Sequence, residues 1–149
     1  MKALCALLLA LSLSAHADTA QDAQQAAIAD VATTGIGLAL GAAEANPIGI
    51  ATLPLKFIAL DYADKLPTGE RETLQSAIAS VWTGASVNNA CVILMLATGG
   101  AFGAGCILAG VAFAVGRWTD GEQEREFWKI CAQEMRMNPA LVCNFTETD

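Results

Sequence analysis

"TLQSAIASVWTGASVNNACVILMLATGGAFGAGCILAGVAFAVG", residues 73–116, runs for 44 consecutive positions without one Asp, Glu, Lys or Arg. A single helix needs only about 20 apolar residues to cross a hydrocarbon core. The run therefore reads either as one helix from Cys91 to Gly116 behind a long shoulder, or as two helices turned tightly on each other. "ATGGAFGAG", residues 97–105, lies at its centre. That position favours a helical hairpin turning near Gly99-Gly100. Gly99, Gly103, Cys106 and Gly110 have the spacing of small residues that let membrane helices approach closely. A phosphate-cradling loop would need a strand before it and a Lys-Ser or Lys-Thr pair after it, and neither is present.

Upstream lies "ADVATTGIGLALGAAEANPIG", residues 29–49, apolar in outline yet carrying Asp30, Thr33, Thr34, Glu44 and Asn46. A first helix is expected from about Ala26 to Ala45. It ends at Asn46-Pro47, because the residue before proline is pushed out of the helical region. With Asp30 set at zero on this helix, Thr34, Gly37, Gly41 and Glu44 fall within about 40° of one direction, and Thr33 lies at the border. The two carboxylates then sit about 21 Å apart along the axis, too far for a catalytic pair. A second helix, from Ile48 to Tyr62, contains Pro54 and reaches only about 22 Å, short of a ~30 Å core. It carries Lys56, which in lipid needs a counter-charge or a route to water. Asn88 and Asn89 fall inside the third helix, where amides bond across helices. The economical expectation is one intramembrane polar network of Asp30, Thr33, Thr34, Glu44, Asn46, Lys56, Asn88 and Asn89. Gly37, Gly41, Gly99, Gly103 and Gly110 serve as its packing positions. Thr68 and Thr73 offer N-caps for the third helix.

Downstream of Arg117 the character changes. Thr119-x-x-Glu122 reads as a capping box opening a helix that stops at Asn138-Pro139. Phe127, Trp128, Cys131 and Met135 share one face of it, suited to pack on the bundle or lie at an interface.

The start, "MKALCALLLALSLSAHADTAQ", has Lys2, an apolar run and Ala15-His16-Ala17 before Asp18, the pattern of a cleaved signal peptide. The expected organisation is a signal peptide over 1–17, a helical membrane domain over 18–116 and an extracytoplasmic tail over 117–149. Removing Lys2 with the signal peptide takes the formal net charge from −7 to −8. That balance argues against nucleic acid and against a basic lipid-binding patch. Hydrophobic residues make up 54% and charged residues 15%, an apolar balance for a soluble domain. The lipid bilayer is thus the first expected partner. The sole histidine, His16, belongs to the signal peptide, so Ser-His-Asp triads, Cys-His pairs and histidine-ligated metals are excluded from the processed chain. No catalytic set, metal site or cofactor is expected. An aspartyl protease using Asp30 and Asp61 finds no support in the flanking sequence.

Cys91, Cys106, Cys131 and Cys143 remain after processing, an even number in an exported chain. Cys131 and Cys143 flank Asn138-Pro139, and closing that loop contributes up to ~3 kcal/mol by the loop-entropy argument. They are the expected disulfide. Cys91 and Cys106 lie at similar depth in a hairpin, which leaves their pairing open; lipid favours reading them as small buried thiols.

The pattern D-x-x-T-T-x-x-x-L-x-x-G-x-x-E-x-N-P-I, Asp30 to Ile48, followed by Lys56, resembles a family of small bacterial membrane proteins of unknown function. The resemblance supports a membrane protein and points to these residues without naming a reaction or role; the expected location is the bacterial inner membrane. The combined expectation is all-α: a small bundle of four membrane helices, the second short, with a C-terminal amphipathic helix outside the cytoplasm. Its expected role is non-enzymatic assembly with a second copy or another membrane protein through a polar, small-residue face. The alternative is a transport or channel component with an intramembrane polar path.

Overall fold

A computed structural model describes residues 19–42, 53–99 and 104–145. The described residues form five helices and no strand: α1 (Thr19–Ala39), α2 (Leu53–Asp64), α3 (Glu70–Thr98), α4 (Ala104–Asp120) and α5 (Glu122–Met137). The signal peptide, Glu44, Asn46 and Gly103 lie outside the described residues.

α3 is the axis of the molecule. α1 runs parallel to it, with Thr19 bonded to Gln75 at one end and Gly37 facing Ile93 at the other. α2 runs antiparallel, with Lys56 over Trp82 and Asp64 bonded to Gln75. α4 returns antiparallel as well, joined to α3 at Cys91–Cys106 and brought level with Ser76 at Gly121. α5 then folds over the Glu70 end of α3, where Ala132 and Trp128 meet Gly69. The single-helix reading of 91–116 is thereby overturned. Gly99 takes a left-handed φ of 71° and its N–H bonds back to Leu96 and Met95, so α3 stops there.

The two helices of the hairpin, α3 and α4, meet at Gly84 and Gly110. A Cβ on either would stand 2.6 Å from the other's carbonyl oxygen, so the crossing admits only glycine without movement. Cys106, Gly110 and Ala114 succeed one another on α4 along this contact, four residues apart.

Several boundaries differ from the sequence expectation. α1 begins at Thr19 rather than near Ala26, because Ala23, Ala26 and Ala27 extend its packing face toward the N-terminus. It stops at Ala39 rather than Ala45: Gly41 adopts a φ of 88°, which no right-handed helix contains. Gly41 and Gly99 therefore serve turns rather than helix packing, and neither has a neighbour among the described residues within 4 Å of its Cβ position. The N-cap of α3 is Gly69, not Thr68 or Thr73. Its N–H donates to Glu72 Oε2 at 2.5 Å, while Thr73 Oγ1 donates back to the Gly69 carbonyl at 2.6 Å. Thr119 does not open α5. It ends α4, donating to the Gly116 carbonyl at 2.8 Å, and Gly121 precedes Glu122.

Burial is inverted relative to a water-soluble bundle. Asp30, Thr33, Thr34, Lys56, Glu72, Gln75, Ser80 and Arg125 are buried, whereas Leu55, Phe57, Ile58, Ile107, Leu108, Val111, Phe113 and Val115 are exposed. The buried apolar residues are mainly alanines, with Ile78 and Ile93 the larger ones. Among the described residues one helix, α3, is long and apolar enough to cross a membrane, by length and composition.

Candidate functional site

The centre of the molecule is a polar seam where α1, α2 and α3 meet. Asp30 and Lys56, 3% and 1% exposed, form an ion pair through Asp30 Oδ2. Asn89 Nδ2 donates to the other carboxylate oxygen, Oδ1, at 2.8 Å, and to Thr34 Oγ1 at 3.0 Å. It also lies 3.4 Å from Thr33 Oγ1, whose hydroxyl donates to the Ala29 carbonyl at 2.9 Å. Thus both carboxylate oxygens are occupied, which is what an ion needs in a low-dielectric interior. The Lys56 ammonium also stands 4.8 Å from the Trp82 ring centroid, where the negative face of the π-system attracts a cation. The indole Nε1 itself finds no partner among the described residues.

Each contributor has a local cause. Asp30, Thr33, Thr34 and Gly37 recur at three- and four-residue spacing and share the face of α1 that looks at α3. Lys56 follows Pro54 in the first turn of α2, so its long stem reaches down toward Asp30. Trp82 precedes Asn89 by two helical turns and occupies the same side of α3.

Five expected members are thus together: Asp30, Thr33, Thr34, Lys56 and Asn89. Asn88 is not with them. It sits 100° round α3, with its Cβ 3.0 Å from the Cβ position of Gly110, in an open apolar groove of α3 and α4. Glu44 and Asn46 lie outside the described residues. Of the expected packing glycines, Gly110 touches a neighbouring backbone, and Gly37 makes ordinary contacts with Ala42 and Ile93. The sequence reading missed Trp82 and Gly84. The seven-residue interval from Trp82 to Asn89 was the available signal for the first, and Gly84 carried none of its own.

A second polar cluster closes the Glu70 end. Arg117 of α4 pairs with Asp22 of α1, tying together two helices that flank α3 from different sides. Arg125, 5% exposed, donates to Ser76 Oγ at 3.0 Å and stacks 3.6 Å from the Trp118 ring centroid. Burial lowers its pKa from the usual arginine value, opposed by the carboxylates of Glu122, Glu124 and Glu126.

Both cysteine pairs are disulfides, Cys131–Cys143 and Cys91–Cys106. The second decides the open question of Cys91 and Cys106 against the favoured reading of two separate thiols. The close Gly84–Gly110 crossing brings their Cα atoms to 5.4 Å, within the normal bridging range. The Asp30–Asp61 protease arrangement is also absent. Asp61 is 69% exposed and pairs with Lys65 at 2.5 Å, whereas Asp30 is closed in with Lys56. Among the described residues no group of acidic, cysteine or histidine side chains is placed to hold a metal ion.

No family model, curated protein or solved structure matches this chain.

Proposed function

We propose that this is a non-enzymatic integral membrane protein of the bacterial inner membrane, with its C-terminal tail outside the cytoplasm, that assembles with a second copy or a membrane partner. The observation that carries the reading is the inversion of burial: a neutralised ion pair inside, and Leu, Ile, Val and Phe on the outer surfaces of α2 and α4. In water those apolar faces would be a liability; in lipid they are the solvated surface. The charge distribution supports the same reading. Among the described residues every charged group other than Asp30 and Lys56 lies toward the Glu70 end of the bundle or on α5. α3 is long enough for a full crossing, and α4, at 17 residues and about 26 Å, returns antiparallel to it. α2, at 12 residues and about 18 Å, is a partial span packed within protein.

The seam is more a structural clasp than a conduit. Its carboxylate and ammonium neutralise each other and are closed from solvent, so nothing in their geometry favours a transport path. Extraction of native membranes with alkaline carbonate tests the reading. The processed chain is expected to stay in the pellet, and its release to the supernatant would refute membrane integration.

A further inference from the structure

One face of α3 lines two open grooves in succession. Thr73, Ala77, Val81, Gly84 and Asn88 recur along it at three- and four-residue spacing. Near Glu70 this face forms a groove with α5, lined by Glu70, Leu74 and Ala77 of α3 and by Lys129 and Arg136 of α5. Further along it forms a groove with α4, lined by Val81, Ala85 and Asn88 and by Ile107 and Val111. Ala77 of the first groove and Val81 of the second are one turn apart, so the first leads into the second.

The resulting track crosses the polar edge of the bundle. Asp22 and Arg117 meet in a cleft beside Ser76 and Ala79, and Asp64 accepts from Gln75, so charged groups of α1, α2 and α4 end at this level of α3. Tyr62 lies two residues before Asp64 and Trp118 directly after Arg117, and both are exposed. Exposed Tyr and Trp rings settle at the headgroup level of a membrane. From Ala77 to Asn88 the track then descends 11 residues, about 16 Å, and one leaflet of a ~30 Å core is about 15 Å deep. Glu70, Lys129 and Arg136 thus stand outside the hydrocarbon, and the Val81 groove stands within it.

We propose that this track binds one phospholipid of the extracytoplasmic leaflet, with its phosphate on Arg136 and Lys129, its headgroup ammonium on Glu70 and one acyl chain along Ala77, Val81 and Ala85. The proposal rests on the membrane reading above. Charge complementarity selects the occupant. A guanidinium and an ammonium on the α5 side suit a phosphodiester. A carboxylate on the α3 side suits a primary ammonium, and phosphatidylethanolamine carries both groups. Arg136 and Glu70 make no ion pair among the described residues. Lys129 lies 3.0 Å from Glu126 in an exposed pair, which contributes little and leaves the lysine free to turn to a phosphate. Phosphatidylglycerol has no ammonium for Glu70, and the methylated ammonium of phosphatidylcholine has no N–H to donate.

Native mass spectrometry of the delipidated, processed chain in detergent, titrated with each of these three lipids, tests the site. One phosphatidylethanolamine per chain is expected, held more tightly than either of the others. Arg136→Gln should weaken it about tenfold, because a charge-assisted hydrogen bond to the phosphate is lost. Glu70→Gln should remove the preference over phosphatidylglycerol. Val81→Trp should weaken all three lipids by filling the track. These three positions are exposed, so the variants keep the fold. A wild-type chain that holds the three lipids alike, or an Arg136→Gln chain as tight as wild type, overturns the proposal. A two-chain species in place of the lipid adduct assigns the track to a second copy and also overturns it. Alkaline carbonate extraction of the source membranes separates the two readings. A pelleted chain without the lipid preference loses this site alone, whereas a released chain loses the membrane reading and the site together.

Discussion

Lys56 is the residue with most to lose. At 1% exposure it has no route to water, and its charge is met by Asp30 and the Trp82 ring alone among the described residues. Removing one partner of a buried pair strands the other and costs about 3–5 kcal/mol, whereas replacing both is close to neutral. Lys56→Met is therefore expected to lower folded yield and the unfolding midpoint in detergent. Adding Asp30→Asn should restore much of the loss, because a carboxamide still accepts from Asn89 without carrying a charge. Glu44→Gln should not rescue. Ile28→Ala, at an outward position 61% exposed, is the comparison. Equal behaviour of Lys56→Met and Ile28→Ala would mean that the lysine finds water after all.

Among the helices, the α3–α4 contact is the tightest and the most sensitive. Gly84→Ala places a methyl 2.6 Å from the Gly110 carbonyl oxygen and 2.8 Å from Ala114 Cβ, so the helices must separate. A cost of about 1–3 kcal/mol is expected from such overpacking. Gly35→Ala is the opposite case. That helical glycine is exposed with none of the described residues within 4 Å of its Cβ position, and alanine gains up to about 1 kcal/mol in helix propensity. Denaturant titration of purified protein in detergent should move the two midpoints in opposite directions. A Gly84→Ala protein as stable as wild type would show that the crossing is looser than 2.6 Å implies. The helical hairpin was legible before any coordinates, since Gly99-Gly100 divides the uncharged run. Gly84 was not, because a glycine inside a helix gives no local sign of which neighbour's backbone it touches.

At the scale of the molecule, charge and orientation go together. The ends of α2 and α4 and the whole of α5 gather their charges beside Glu70, Arg71 and Glu72. Because α1 runs parallel to α3 and α4 antiparallel, Thr19, Asp120 and the tail fall on the same side. A compartment-sensitive reporter fused after Asp149 should therefore be active outside the cytoplasm. Activity in the cytoplasm would reverse the bundle and leave the Cys131–Cys143 bridge in a reducing compartment.

Composition and periodicity alone determined that this chain is helical, that it turns near Gly99, and that Asp30, Thr33 and Thr34 share a face. These are local properties: a 100° step per residue assigns faces without reference to a neighbour. The Cys131–Cys143 closure was local too, since only a short turn separates the two. Tertiary structure decided the rest. Asn88 and Asn89 are chemically identical, and only the rotation of α3 against α1 and α4 gives Asn89 to the carboxylate and Asn88 to the groove. Lys56 could be read as needing a counter-charge, but its choice of Asp30 depends on how α2 lies across α1. The pairing of Cys91 with Cys106 likewise waited on the closeness of two helices, set by Gly84 and Gly110 meeting backbone to backbone. A sequence encodes the faces of its helices directly. Which faces meet, and how closely, is settled by the packing of all of them at once.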